Sequence, residues 1–434
     1  MTSATQLIEV SIMLIRLILN QLAAAVSACR FCSKWICEMD TLYSKLQGTD
    51  EDEKAFEKAG NIIRDGGLVA FPTETVYGLG GDALDPGASR KIYAAKGRPS
   101  DNPLILHISE EKELYPLVSE VPEIARRLMK AFWPGPMTLV FNKSPLVPHE
   151  TTGGLDTAAV RMPSHEAARR LIKAAGVPVA APSANRSGKP SPTSAAHVLE
   201  DMDGRIDMIL DGGEVPLGLE STIIDVTGDE AVILRPGYIG IDEIRRVTGS
   251  GIIDPAIMGR PDPSLRPKAP GMKYRHYAPK ADITIVRAVS GNDEPAYITA
   301  AEKASADSPA TDSTDWGKSA GYKTEEKTAG DMAAEKKVAA VISALAEEKA
   351  AQGYRIRILC AKEHAYMYPS EYVRTVGELA HEETIAHNLY KCLRDFDMEE
   401  VDYVFSEAFG DDALGTAIMN RLTKAAGYHI VEVN

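Results

Sequence analysis

Cysteine is scarce: five residues in a chain of 434, too few for a disulfide framework at this size. Cys29, Cys32 and Cys37 lie near the start, and Cys360 and Cys392 lie far from them. The Cys-x2-Cys pair has no second pair and no nearby histidine to complete four zinc ligands, so no metal site built from side chains is expected. Free thiols fit a reducing, cytoplasmic setting. A clean apolar run of about twenty residues is also missing, which argues against a membrane-spanning helix. The most apolar stretch, 10–26, is interrupted by Arg16, Asn20 and Gln21, and no membrane partner is expected. Positive charge is not in excess either. The formal net charge of −14 disfavours a broad nucleic-acid footprint but leaves room for a local basic pocket, and the partner such a pocket suits is a small anion. Finally, Gly-x4-Gly-Lys-Ser/Thr, His-Glu-x2-His and Gly-x-Ser-x-Gly are all absent, which excludes a conventional P-loop ATPase, a zincin and a nucleophile-elbow hydrolase. Ser183 and Ser221 have no evident histidine-carboxylate partner, so neither is read as a nucleophile.

What is present is a chain 44% hydrophobic and 25% charged, long enough for two domains with full cores. Residues 67–102 carry its most unusual choices. An apolar strand, Leu68-Val69-Ala70-Phe71, breaks at Pro72 into Thr73-Glu74-Thr75-Val76-Tyr77-Gly78-Leu79-Gly80-Gly81, where hydroxyls and glycines replace bulk. Strand ends of this kind are where α/β proteins bind ligands. A short helix with Pro86 in its first turn then runs out at Lys96-Gly97-Arg98-Pro99, followed by Asn102-Pro103. The residues suit an anion pocket, with hydroxyls and backbone amides for oxygens, Lys96 and Arg98 for phosphate charge and Asn102 to orient it. They equally suit a strand-turn-helix with a solvated basic loop.

Residues 1–38 read as an N-terminal extension or a misassigned start, with an amphipathic surface helix as the alternative. A polar, helix-like opening over 40–52 leads into an amphipathic helix marked by Phe56, Ala59, Ile62 and Ile63, which Gly66-Gly67 stops. Strand 104–108 ends near His107, where a lone histidine is ordinarily a satisfied core residue. A helix with Leu128 and Met129 and a strand over 137–141 follow. Thr157-Ala158-Ala159-Val160-Arg161 is a strand ending on arginine, after which Ser164 caps a helix that Gly176 ends. Strand 179–181 breaks into Pro182-Ser183-Ala184-Asn185, a Ser-x-Asn that is ordinarily a turn, and runs on to Ser191. Strand 208–211, the segment Gly218-Leu219-Glu220-Ser221-Thr222 and a strand ending at Arg235 complete the first domain.

Arg98, Arg161 and Arg235 thus all stand at or beside element ends, and strand ends on one edge of a sheet converge in space. A pocket of arginines, a lysine, hydroxyls and glycines suits positioning and charge neutralisation, as in phosphoryl and nucleotidyl transfer. The Pro-rich stretch 251–280 is a stiff connector. Its Gly271-Met272-Lys273-Tyr274-Arg275-His276-Tyr277-Ala278-Pro279 is too aromatic and basic for a plain spacer and could fold back as a lid. Beyond it, 281–434 alternates strands and helices as a smaller, Rossmann-like, largely parallel sheet, with a disordered insertion over 290–328. Its 410–415 loop lacks dinucleotide-binding spacing.

The segments Phe71-Pro72-Thr73-Glu74-Thr75-Val76-Tyr77-Gly78-Leu79, Lys96-Gly97-Arg98-Pro99, Pro182-Ser183-Ala184-Asn185 and Pro270 to Pro279 closely resemble the YrdC-like family in its two-domain form, the threonylcarbamoyl-AMP synthases. The resemblance runs from about residue 50 to the end. It implies an α/β architecture, a YrdC-like mixed twisted-sheet domain over 50–250 followed by the smaller Rossmann-like domain. It also implies an L-threonylcarbamoyladenylate synthase, a nucleotidyltransferase that makes threonylcarbamoyl-AMP and pyrophosphate from L-threonine, bicarbonate and ATP. The product serves N6-threonylcarbamoylation of adenosine 37 in tRNAs reading ANN codons, through a downstream tRNA threonylcarbamoyl transferase. By position, the resemblance assigns Lys96 and Arg98 to catalysis and Thr75, His107, Arg161, Ala181 and Ser221 to threonine. Arg98, Asn102, Thr157, Ser183, Ser191, Arg235 and Tyr274 would hold ATP, with Mg2+ carried on the phosphates rather than by side chains. The resemblance also implies double-stranded RNA binding, and direct tRNA contact is expected to be weak. Two other readings remain open. An RNA-binding module would show steep salt dependence; carbamoyl transfer from carbamoyl phosphate occurs in relatives that lack this connector and second domain.

Overall fold

The computed structural model describes residues 40–257, 259, 267, 269–270, 276–289, 329–410 and 413–434. The expected extension over 1–38, the expected insertion over 290–328 and Tyr274 lie outside the described residues. Among the described residues the strands form two sheets, one of eleven strands and one of five.

The first sheet contains β1 (Leu42–Lys45), β2 (Val69–Phe71), β3 (Gly78–Asp82), β4 (Ile105–His107), β5 (Met137–Asn142), β6 (Thr157–Arg161), β7 (Val179–Ala180), β8 (Met208–Asp211), β9 (Thr222–Asp225), β10 (Val232–Arg235) and β11 (Ile252–Ile253). Their order across the sheet is β1-β8-β2-β3-β7-β4-β6-β5-β9-β10-β11, with parallel and antiparallel pairs mixed. Six helices pack on it: α1 (Asp50–Arg64), α2 (Pro86–Lys96), α3 (Glu123–Phe132), α4 (Glu166–Ala175), α5 (Ala195–Met202) and α6 (Ile241–Thr248). Side chains alternate across a strand, so both faces need cover. In β2, Val69 and Phe71 pack with Phe56 and Ile63 of α1 and Leu171 of α4. Ala70, between them, joins the opposite core with Ile92 of α2, Leu128 of α3 and Val198 of α5.

The second sheet is parallel throughout, in the order β14-β13-β15-β12-β16. Its strands are β12 (Asp282–Ala288), β13 (Ile356–Ala361), β14 (Val373–Gly377), β15 (Tyr403–Glu407) and β16 (Ile430–Val433), connected through α7 (Ala329–Ala351), α8 (Glu382–Met398) and α9 (Ala413–Ala425). Ile283 and Ile285 of β12 face Leu389 and Leu393 of α8 and Ile418 of α9, while Val286 faces Ile342 of α7. The expected α/β class, a mixed sheet followed by a smaller parallel one, is therefore the architecture found. No helix among the described residues is long and apolar enough to cross a membrane.

Three local expectations need correction. The opening over 40–52 is not helical throughout: β1 pairs in parallel with β8 at the sheet edge, and the helix starts at Asp50. Three of the four β1 side chains are exposed, so the strand has no apolar alternation to announce it; backbone pairing and a Tyr43 hydroxyl bond to Asp211 hold it. The glycine-rich segment after Tyr77 is a strand, β3, not a loop. A Cβ at Gly80 would lie 2.7 Å from Val179 and 2.9 Å from Phe71, so the neighbouring side chains fill the space that glycine leaves. The helix after Arg161 is capped by His165, whose Nδ1 accepts from the Ala167 amide at 3.2 Å, rather than by Ser164.

Truncation in the middle of this core should cost what a cavity costs. Leu139→Ala, at a fully buried β5 position, is expected to lower stability by about 2–5 kcal/mol. Leu146→Ala, half-exposed, is expected to change it by no more than about 0.5 kcal/mol. Denaturant midpoints of the two variants check the difference.

Candidate active site

Strand register sets the site. His107 of β4 pairs with Arg161 of β6, Arg161 with Thr138 of β5, Thr138 with Ile223 of β9, and Ile223 with Arg235 of β10. One row across the sheet thus brings His107, Arg161, Arg235 and, just before β9, Ser221 to the same end. From the neighbouring side, α2 delivers Lys96 at its last residue. Asp85 caps the helix start by accepting from the Gly87 and Ala88 amides at 2.7 and 3.0 Å, and Gly97 ends the helix in the left-handed region at φ +63°. The chain leaving β7 supplies Ser183, which bridges to Gly78 at the head of β3.

These elements surround a partly open cavity of about 710 Å³, a volume that includes the solvent at its mouth. Of the sequence-expected residues, Thr75, Lys96, Arg98, His107, Arg161, Ala181, Ser183, Ser191, Ser221 and Arg235 line it. Pro270, His276 and Tyr277 of the connector line it too. Two expected residues do not. Asn102 is buried behind Arg98, accepting from its Nε through the main-chain carbonyl at 3.2 Å, and is not on the wall. Thr157 opens β6 while Arg161 closes it, and it lies two residues beyond Ala159, the partner of the lining residue Ile105. Tyr274 lies outside the described residues.

The cavity cations are held by acceptors that leave their charge largely unspent. Lys96 is 2% exposed and donates to the carbonyls of Ser183 and Asn185, both at 2.5 Å. Ser183 Oγ donates to Asn185 Oδ1 at 2.6 Å, which fixes the Ser-x-Asn turn around the ammonium. Burial, reinforced by Arg98, pushes the Lys96 pKa well below its ordinary range. An arriving anion would reverse that bias and favour the ammonium. Arg98 reaches the Pro103 carbonyl at 3.1 Å. Arg235 grips Ser221 three times, through the carbonyl at 3.0 and 2.9 Å and through Oγ at 3.1 Å. Ser221 Oγ also meets Thr138 Oγ1 at 2.8 Å.

On the other side, Arg161 donates to Thr75 Oγ1 at 2.9 Å and pairs with Glu74 at 2.9 Å. Burial opposes ionisation of Glu74, but Arg161 outweighs it and keeps the carboxyl below its usual range. Thr73 Oγ1 and Thr75 Oγ1 lie 2.8 Å apart, and Thr73 also donates to the Val76 carbonyl at 2.6 Å. His107 stands edge-on to Phe71, its Nδ1 3.0 Å from the Ile105 carbonyl, and burial followed by Arg161 pushes its pKa down to about 3. It is therefore a neutral imidazole at physiological pH, and it is a cavity residue as well as a core one.

Sequence reading did not single out Glu74 or Glu220 as site residues. Glu74 carried a signal, since a carboxylate flanked by threonines at a strand end next to an arginine-rich pocket invites pairing. Glu220, on the cavity wall, carried none, because its partner Arg421 is 201 residues away.

Buried histidines give the site a definite pH response. His107, His276 and His197 have pKa values lowered by burial from 6.5 to about 3, 3 and 4. The unfolded chain therefore takes up their protons at a higher pH than the folded one, and stability falls as pH drops below about 6.5. The unfolding midpoint should decrease from pH 7 to pH 5, with a shallower slope in His107→Gln.

Comparison with known proteins agrees with this geometry. Residues 61–237 match the family described as "Telomere recombination" and residues 239–427 the family described as "Threonylcarbamoyl-AMP synthase, C-terminal domain". The threonylcarbamoyl-AMP synthase of Pyrococcus abyssi is 44% identical over 375 residues, covering 86% of this chain and 95% of the relative. That of Bacillus subtilis is 41% identical over 387 residues, covering 88% and 97%. The crystal structure of P. abyssi Sua5 complexed with L-threonine is 42% identical, covers 91% of this chain and 99% of that one, and superposes with a TM-score of 0.74. Since the likeness spans the cationic cavity and both sheets, the chain belongs to the threonylcarbamoyl-AMP synthase family.

Proposed function

We propose that the cavity has a threonine side formed by Thr75, His107, Arg161, Ala181 and Ser221, and a nucleotide side formed by Arg98, Ser183, Ser191 and Arg235, with Asn102, Thr157 and Tyr274 as the further nucleotide contacts that the resemblance implies. Lys96 stands between them, over the reacting oxygens. As a threonylcarbamoyl-AMP synthase the protein is a nucleotidyltransferase, making threonylcarbamoyl-AMP and pyrophosphate from L-threonine, bicarbonate and ATP for tRNA modification. The observation that carries the division of the site is that Lys96, Arg98, Ser183 and Arg235 line one hollow together with Arg161 and His107.

The chemistry follows from that inventory. Threonine's amine and bicarbonate-derived CO2 give a carbamate, one of whose oxygens attacks the α-phosphate in line as pyrophosphate leaves. Arg161, fixed by Glu74 and Thr75, is suited to the amino acid's carboxylate. Lys96, Arg98 and Arg235 are suited to the triphosphate, each charged hydrogen bond contributing about 1.5–3 kcal/mol. Neutral His107 can exchange hydrogen bonds with the substrate without adding a charge beside Arg161. Catalysis is then positioning and charge stabilisation, with no covalent step on the protein. The carbamate is labile in water, and the connector's His276 and Tyr277 on the cavity wall are placed to help exclude it.

A Mg2+ ion fits this site as a passenger on the nucleotide. The wall carboxylate Glu220 has both oxygens engaged by Ser191, Tyr390 and Arg421, and no group of three or more candidate ligands occurs among the described residues. The phosphates would hold the ion, which would neutralise their charge. The product is a reactive mixed anhydride that a tRNA threonylcarbamoyl transferase consumes. A chain of net charge −14 is suited to at most weak direct contact with tRNA. Buried free thiols at Cys360 and Cys392 suit a cytoplasmic setting.

Pyrophosphate release should require both L-threonine and bicarbonate, and Lys96→Ala or Arg98→Ala should lower it by about a hundredfold or more. Release that persists without threonine overturns the reading.

A further inference from the structure

The second domain reaches into the walls of the cavity with side chains that the reaction does not use. Arg421 of α9 is fully buried. Its Nε donates to Glu220 Oε2 at 3.0 Å and its Nη1 to the Pro236 carbonyl at 2.8 Å. Tyr390 of α8, also fully buried, has its hydroxyl 3.0 and 2.9 Å from the two oxygens of Glu220. One helical turn on, Arg394 donates to the Pro190 carbonyl at 2.6 Å and to Asp201 Oδ2 at 2.8 Å. Asp201 in turn accepts from Lys189 at 2.7 Å, and Glu220 accepts from Ser191 Oγ at 2.6 Å.

The places these contacts land are informative. Pro190 immediately precedes Ser191, Glu220 immediately precedes Ser221, and Pro236 immediately follows Arg235. Each clamp therefore lies one residue from a cavity side chain assigned above. The loop carrying Glu220 is also approached closely: at Gly218, φ +81°, an added Cβ would stand 2.6 Å from the His387 backbone in α8. Buried ion pairs contribute little net stability, because desolvation offsets their attraction, so domain adhesion alone is a poor reason for placing two arginines and two carboxylates here. What such pairs supply is a defined geometry. Burial opposes ionisation of Glu220, yet Arg421 and Arg235 hold its pKa down at about 2, so the clamp stays charged across the physiological range.

We propose that Arg394, Tyr390 and Arg421 are positioning residues, which act through Asp201 and Glu220 to hold Ser191 and Arg235 in register for the nucleotide. The second domain is then a working part of the ATP site. Threonine recognition rests chiefly on Arg161, Glu74 and Thr75 within the first domain, and only Ser221, next to Glu220, adjoins a clamp, so the threonine side should lose less than the nucleotide side. The inference rests on the assignment of Ser191 and Arg235 to the nucleotide side.

Charge-balanced variants of the full chain test it: Glu220→Gln with Arg421→Met, and Asp201→Asn with Arg394→Met. Kinetics of threonine-dependent pyrophosphate release are read beside L-threonine binding by calorimetry without nucleotide and beside the thermal midpoint. A displacement of a fraction of an ångström should raise the KM for ATP by about tenfold or more, with threonine affinity within about twofold of the parent. Tyr390→Phe, which removes one hydroxyl, should raise it by about threefold, and this variant decides the matter where the double variants do not fold. An unchanged KM for ATP in folded variants overturns the proposal, as does an equal loss of affinity for both substrates. Failure of the functional reading looks different, because the parent enzyme itself would then release pyrophosphate without threonine.

Discussion

Mutual repulsion among Lys96, Arg98, Arg161 and Arg235 is the constraint on which the rest of the structure depends. All four line one hollow, and the more completely water is excluded from it the more strongly like charges repel. The fold answers with acceptors of graded strength. Main-chain carbonyls take Lys96, Arg98 and Arg235, which leaves the two guanidinium charges uncompensated by a direct ion pair and lets an arriving anion favour the Lys96 ammonium. Full carboxylates are used sparingly: Glu74 pairs with Arg161, and Glu220 is drawn towards Arg421. The two sides of the cavity are thereby electrostatically different. One has a neutralised arginine beside a neutral histidine, the other keeps open cations.

This gradation suits a reaction that joins an amino acid to a nucleotide. A single carboxylate needs directional recognition, which a fixed, paired guanidinium and hydroxyls provide. A triphosphate needs net positive charge, which the carbonyl-held arginines retain and which its own charge would restore to Lys96. The second domain enters the same scheme through Arg421 and Tyr390, which anchor the carboxylate on the cavity wall. Val76 and Leu219 of the first domain belong to the same apolar cluster as Leu389, Leu393 and Ile418 of the second, so the polar clamp is embedded in a continuous core.

How much of this was legible in the chain depends on the range of the interaction involved. The helix ending at Lys96 could be read from Pro86 at its start and Gly97 at its end, both local conformational signals. The alternating apolar strands of the two sheets were legible for the same reason. β1 was not, because an exposed edge strand has no side-chain pattern. β3 was not, because its glycines answer to Phe71 and Val179, which only the folded sheet brings near. The resemblance to a known family named ten residues that do line the cavity. It also named Thr157, at the opposite end of β6 from Arg161, and Asn102, which lies behind Arg98.

By itself, the sequence determined the inventory: arginines at strand ends, hydroxyls and glycines after β2, a Lys-x-Arg and a Ser-x-Asn. These are matters of residue type and short-range order, and they travel with the chain whatever its shape. Only the tertiary structure decided which acceptor faces which cation, and hence which charges remain available to a substrate. That choice depends on register across five adjacent strands and on contacts such as Arg421 with Glu220, separated by 201 residues, where no local signal operates.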